Sequence, residues 1–393
     1  MRKHPSLKSW VGTITRKMPH LSKPQAKVLA MWSFGIAITQ SSGLTTVSIF
    51  LAKLLNIKEN TVRQRLREWL RDAEDKKGNQ RKAIDVTSCF APLLGWVLSQ
   101  WQPGEKKLAL AMDATTLGQR FTVLAISVLY RGCAIPVAWK IVKATSKGAW
   151  KPYWLELFTY IQNSVPTDWM VIVTADRGLY ANWLYEKIVR LGWHPYLRVN
   201  TGGFFQSELH QEWTALSEVI TEKGDSWCGR IRCFKKHSID CTLLACWERG
   251  YAQPWLIVTD LAPPQANQGW YAMRSWIECS FKDTKRGGFS WHQTKTTDPV
   301  RAERQWLAIA VAMLWLIGVG GEDEVSSCHP NQPEHSEPET GSATYSSTSL
   351  PRKLSCFRRG FLSILVTLLW GQTLPLGHFY SFPWTDTFSF SSA

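Results

Sequence analysis

The sequence predicts an α/β protein, with a mixed sheet and flanking helices interrupted by a β-rich insertion and preceded by an all-α region. Three observations carry this. From Lys107 onward, apolar runs of strand length alternate with segments of helix length. Between residues 200 and 265 the helical segments drop out, and short apolar runs separated by polar turns take their place. Before residue 75 the apolar residues recur at helical spacing.

Lys23 to Ile38 is mostly apolar, with Pro24 in the position that suits a first helical turn. Residues 46–70 resemble a helix-turn-helix. A first helix ends near Leu55, Asn56 and Ile57 make the turn, and a second helix begins near Glu59 or Asn60. Val62, Leu66 and Trp69 (or Leu70) give that second helix an apolar back. Arg63, Gln64, Arg65 and Arg67 lie in front, the residue types that reach base edges and phosphates. A plain helical hairpin with a solvated basic face has the same pattern. Asp72 to Lys82 is dense in charge and reads as a linker.

Leu108 to Met112, Phe121 to Tyr130 and Ala134 to Val142 are three strand-like runs, the last containing Pro136. Ala149 to Ile161 reads as a helix, Trp169 to Ala175 as a buried strand, Leu179 to Leu191 as a helix and Pro195 to Val199 as a strand. Ile231 to Phe234, Cys241 to Trp247 and Trp255 to Thr259 are the short strands of the insertion. Helices resume over Gln268 to Lys285 and Val300 to Ile317. Residues 321–352, rich in Ser, Pro, Glu and Thr, are expected to be disordered, and Phe361 to Trp370 to form a short apolar helix. The expected organisation is a helical DNA-binding region over 1–82, a first core segment over 83–199, the insertion over 200–265, a second core segment over 266–320, and a disordered linker with an apolar tail over 321–393.

The 393 residues carry 46 Lys plus Arg against 31 Asp plus Glu, a net charge of +15, which suits a polyanionic partner. The 22 tryptophans serve a core and also stack on bases. The polar, basic start lacks the apolar segment of a signal peptide. Trp306 to Val319, the longest apolar run, is short for a membrane span and reads as a buried core helix. Nine cysteines without secretory context point to reduced thiols and a cytoplasmic protein. Cys228, Cys233, Cys241 and Cys246 have the wrong spacing for zinc, because partners five apart on a strand face opposite ways. No P-loop or dinucleotide fingerprint is present.

Two apolar runs each stop at an aspartate, Leu108-Ala-Leu-Ala-Met-Asp113 and Met170-Val-Ile-Val-Thr-Ala-Asp176. Strand C-termini are where α/β sheets place their sites, although a turn-initiating Asp is common there too. Tyr271, Arg274, Glu278 and Lys285 follow at helical spacing. At roughly 100° per residue they project within an arc of about 60°. One face then carries an acid, two bases and a phenol beside the apolar stripe of Met273, Ile277 and Phe281. A solvated polar face with an incidental ion pair has the same composition.

Tyr271-x2-Arg274-x3-Glu278-x6-Lys285 resembles the signature of the insertion-sequence-four group of bacterial DDE transposases. Met112-Asp113-Ala-Thr-Thr and Ala175-Asp176-Arg-Gly resemble that group's two aspartate motifs. The resemblance spans roughly residues 20–320 and implies an RNase H-like core that cuts and joins DNA. Asp113, Asp176 and Glu278 would be the catalytic carboxylates, holding two Mg²⁺ ions for which Mn²⁺ can substitute. Such ions assist attack by water at the transposon end and then attack of the freed 3′-OH on target DNA. Arg274 and Lys285 would hold phosphate, and Tyr271 and Arg274 would contact the transposon end. Trp255-Leu-Ile-Val-Thr resembles the segment whose Trp stacks on a flipped base, and a core Trp opening a strand reads the same way. The implied partner is double-stranded DNA, as terminal inverted repeats and target, bridged by a homodimer and with no membrane involved. Two rivals remain, a non-catalytic DNA-binding protein derived from such an enzyme and another RNase H-like nuclease.

Overall fold

Four helices open the chain: α1 (Pro5–Lys17), α2 (Lys23–Thr39), α3 (Leu44–Leu55) and α4 (Glu59–Leu70). The computed structural model describes residues 4–76, 82–101, 104, 106–146, 150–207, 212–328 and 352–384. Pro24 lies in the first turn of α2, and Gln25 accepts the N–H of Ser22 at 3.0 Å. A left-handed Asn56 ends α3, placing the turn into α4 where the sequence put it. Val62, Leu66 and Trp69 are buried behind α4. Gln64 and Arg67 are exposed, while Arg63 and Arg65 are half-buried.

After α5 (Phe90–Ser99) comes the sheet. Its strands are β1 (Lys107–Leu117), β2 (Phe121–Tyr130), β3 (Cys133–Lys143), β4 (Met170–Ala175) and β5 (His194–Arg198). They continue as β6 (Phe204–Ser207), β7 (Thr214–Ala215), β8 (Ser226–Cys233), β9 (Ile239–Cys246) and β10 (Trp255–Thr259). Helix α6 (Lys151–Ile161) precedes β4, and α7 (Asn182–Arg190) precedes β5. The order of three strands, helix, strand, helix, strand is the one expected. Antiparallel β1, β2 and β3 are extended by β4 and β5, which run parallel to β1. The strands of residues 200–265 continue the same sheet, because β10 pairs with β5 and gives the spatial order β3-β2-β1-β4-β5-β10-β9-β8-β6-β7.

Pro136 is tolerated because β3 is an edge strand and the β2–β3 ladder shifts register beside it. The Glu303 carboxylate accepts the Ile141 N–H at 2.9 Å, capping one donor of that edge.

The expected helix over 268–285 is three helices of different pitch. Residues Gln268–Ser275 form a 3-10 helix, α8 spans Trp276–Lys282, and Asp283–Gly287 form a π turn. Side chains three apart eclipse on a 3-10 helix, so the phase of Tyr271 differs from the α-helical expectation.

The last long helix, α9 (Pro299–Cys328), runs well past Ile317. Residues 321–328, expected to be disordered, are helical; the rest of that stretch up to 351 lies outside the described residues. Its acidic end is held by the tail. Glu322 meets His378 at 3.0 Å, Asp323 meets Arg359 at 3.1 Å and Glu324 meets Arg352 at 2.6 Å. By length and composition α9 could cross a membrane, but 94% of its apolar window is buried within the protein.

The N-terminal helices pack on α9. Trp10 stacks on Trp315 at 4.2 Å, and the Trp69 indole N–H donates to the Arg304 carbonyl at 3.0 Å. Helix α10 (Cys356–Leu369) also packs on α9 and starts five residues before the expected Phe361. The two helices cross at Gly320 and Gly360. A Cβ on Gly320 would lie 1.8 Å from the Cys356 carbonyl oxygen, and one on Gly360 would lie 1.8 Å from that of Leu316.

Candidate active site

The parallel ladder between β1 and β4 ends on the pair Met112 and Ala175. Asp113 and Asp176 are the next residue on each strand, so two carboxylates leave the sheet side by side. The expectation that both terminate strands needs one correction. Asp176 follows β4, but β1 continues to Leu117, because Asp113 to Leu117 pair with Ala125 to Phe121 of β2. What ends at Asp113 is the parallel neighbour. Each aspartate accepts the N–H of the residue after it, Ala114 at 2.7 Å and Arg177 at 2.8 Å, which fixes both carboxylates in one way.

Glu278 reaches this pair from α8, on the third element of the site. An open cleft of roughly 360 Å³ is lined by Asp113, Ala114, Thr115, Asp176, Arg274, Glu278, Phe281, Lys282 and Lys285. Five of the predicted residues therefore share one cavity. Arg274 lies at its centre, with its guanidinium 3.2 Å from Asp113, 3.9 Å from Asp176 and 2.5 Å from Glu278. Burial alone would lower the Arg274 pKa, but Tyr271 and the three acids outweigh it and raise it. The Asp113 carboxyl is raised first by burial and then by Glu278 and Asp176, against the pull of Arg274 and the Ala114 N–H.

Lys285 projects from the π turn and donates to Thr115 Oγ1 at 2.6 Å. Burial, with Arg286 adding to it, lowers its pKa. His292 Nδ1 lies 2.6 Å from the Lys285 carbonyl. A carbonyl only accepts, so that nitrogen carries the proton, and the ring steadies the turn that aims Lys285.

Tyr271 and Trp255 do not line the cleft. Tyr271 is 2% exposed, eclipsed behind Arg274, and its hydroxyl donates to the Ala175 carbonyl at 3.3 Å. Its phenol is therefore anchored to the end of β4 rather than presented on a polar face. Trp255 is 7% exposed and meets Tyr271 edge-on at 5.1 Å and Tyr251 at 5.1 Å. Arg63, Gln64 and Arg67 lie on α4, apart from the cleft lining.

Residues 136–315 match the family model of the transposase DDE domain. The matched span contains Asp176, Tyr271, Arg274, Glu278 and Lys285 and begins after Asp113. No curated protein matches the chain. Among solved structures, the chain is similar to the cryo-EM structure of the piggyBac transposase synaptic complex with hairpin DNA. The identity is 12%, over 78% of this chain and 70% of that one, with a TM-score of 0.40.

The oxygen-only donor set of Asp113, Asp176 and Glu278 suits a hard divalent ion such as Mg²⁺. The residues fit such an ion in kind. In arrangement they face Arg274: among the described residues no group of three His, Cys, Asp or Glu side chains is set to hold a metal ion.

One participant escaped the sequence analysis. Arg198, at the end of β5, is 3.8 Å from Asp176 and lies over the Trp255 ring at 6.0 Å. Ala175 pairs with Leu197, so Asp113, Asp176 and Arg198 stand in one row across three parallel strands. The signal was the same as for the aspartates, an apolar run reaching a charged residue.

Proposed function

We propose that this chain is a cut-and-paste DNA transposase that hydrolyses phosphodiester bonds at terminal inverted repeats and joins the freed ends to target DNA. Asp113, Asp176 and Glu278 would hold two Mg²⁺ ions, or Mn²⁺ in their place. When bound, such ions activate the attacking oxygen and neutralise charge on the leaving one. The observation that carries this reading is the pairing of Asp113 and Asp176 one residue beyond the last parallel rung, with Glu278 brought to the same cleft.

The protein's own groups bind and orient the DNA. Lys285, steadied by His292, offers a point charge to a phosphate, and Arg274 offers a planar fork. Tyr271 backs Arg274 and ties it to the end of β4; its contact with the transposon end would follow a rearrangement of the cleft. Trp255 would take a flipped base if the edge-on rings of Tyr251 and Tyr271 move aside. Helix α4, with Gln64 and Arg67 exposed and Arg63 beside them, would engage the terminal repeats as part of a helix-turn-helix. A homodimer would bridge the two ends, in the cytoplasm at the nucleoid.

The test is an end-cleavage assay with full-length protein, DNA carrying the inverted repeats that flank the coding sequence, and Mg²⁺. The expected products are 3′-OH ends that join to a target plasmid and vanish with a chelator. Binding to the repeats with no cleavage under any divalent ion would instead mark a DNA-binding derivative.

A further inference from the structure

The cation that organises the three acids is the protein's own. Arg274 contacts carboxylates from three separate elements, Asp113 of β1, Asp176 after β4 and Glu278 of α8, at 3.2, 3.9 and 2.5 Å. Its side chain is only 14% exposed, and Asp113 is 21% exposed, so these two groups meet largely shielded from water. Without a cation between them, three converging carboxylates would repel one another at close range. Lys285 lines the same cleft but bonds to the Thr115 hydroxyl, and of the three acids Arg198 meets Asp176.

We infer that Arg274 is a built-in counter-cation that competes with divalent metal ions for Asp113, Asp176 and Glu278, and that metal binding displaces it into the cleft. This rests on reading the three acids as metal ligands. Displacement is sterically open, because Arg274 itself lines a cavity of roughly 360 Å³ beside Lys282 and Lys285. A divalent ion brings twice the charge and prefers carboxylate oxygen. Once displaced, the guanidinium shares the cleft with Lys282 and Lys285, which also line it, and can hold a DNA phosphate with them. One residue then serves in succession as the partner of the acids and as a clamp on the substrate, so that metal loading and phosphate binding favour each other.

The experiment is a calorimetric titration of full-length wild type, Arg274→Ala, Arg274→Lys and Lys285→Ala with Mn²⁺, without DNA, paired with thermal unfolding. Arg274→Ala is expected to bind Mn²⁺ about tenfold more tightly or better, which is about 1.4 kcal/mol. Its Tm is expected to fall below that of wild type in chelator and to recover most of the difference in Mn²⁺. Arg274→Lys, which keeps the charge but cannot bridge three acids, is expected to fall between wild type and Ala, and it serves if Ala does not fold. Lys285→Ala is expected to change Mn²⁺ affinity less than threefold. Equal or weaker affinity in both Arg274 variants would overturn the inference while leaving the metal site intact. Equal tightening by Lys285→Ala would overturn it too, since bulk charge would then account for the effect. No Mn²⁺ binding by any of the four proteins would overturn both the inference and the assignment of the acids.

Discussion

Asp113 and Asp176 leave adjacent parallel strands in step, one residue past the Met112–Ala175 pair, and each accepts the N–H of its following residue. Register and rotamer thus fix the two carboxylates relative to each other. Lengthening one of them by a methylene breaks that relation while keeping charge and donor type. Asp113→Glu is expected to fold as wild type does and to cut DNA ends about a hundredfold more slowly, the scale of loss for a misplacement near 1 Å. Single-turnover cleavage measures it, and a rate within threefold of wild type would show that the register is not what positions the acid.

The Trp255 ring is nearly enclosed by Tyr251 and Tyr271. Trp255→Ala is expected to cost about 3–5 kcal/mol of stability through lost packing. At a temperature where the variant is still folded, it is expected to impair hairpin processing more than repeat binding. Trp255→Phe should recover most of the stability. Equal loss of binding and processing in the Phe variant would leave Trp255 as a core residue alone.

Helices α9 and α10 approach closely enough that only hydrogen fits at Gly320 and Gly360. Gly320→Ala is expected to destabilise by about 1–3 kcal/mol or more through overpacking, seen as a lower urea midpoint. A midpoint equal to wild type would mean that the helices do not cross there. The contact also explains why the tail was opaque in the sequence. The apolar stretch Phe361–Trp370 signalled a helix, but not the neighbour it would pack on.

Burial lifts the Asp283 carboxyl from 3.8 to about 6, against the pull of Arg358 and Lys282. Between these values the native protein binds more protons than the unfolded chain, so stability is lost as pH rises through the window. The contribution is present below about pH 4 and gone above about pH 6. Asp283→Asn removes this loss. Its advantage over wild type is expected to grow from near zero at pH 4 to about 2–3 kcal/mol above pH 6. Urea denaturation at the two pH values checks it, and a constant difference would contradict the titration.

Much of the fold was legible where apolar runs are bounded by turn residues. Phe121–Tyr130 and Trp255–Thr259 form strands over the expected residues. Legibility failed where the deciding partner is distant in sequence. The acidic residues Glu322, Asp323 and Glu324 look like the start of a polar linker, but Arg352, Arg359 and His378 hold them in α9. The same applies to the site. Spacing brought Arg274, Glu278 and Lys285 together, whereas the change from 3-10 to α to π pitch hid Tyr271. Arg198 ends an apolar run as the two aspartates do, whereas His292 acquires its place from the π turn, which no local pattern announces.

Asp113, Asp176 and Glu278 are proposed to carry metal-dependent DNA cleavage. The most direct measurement is Mg²⁺-dependent end cleavage by Asp113→Asn, Asp176→Asn and Glu278→Gln, with repeat binding measured on the same preparations. The account predicts cleavage reduced by at least about 10³-fold in each, equivalent to about 4 kcal/mol, while affinity for the repeats stays within a few-fold of wild type. Full cleavage by any one of these variants in Mg²⁺ would contradict it.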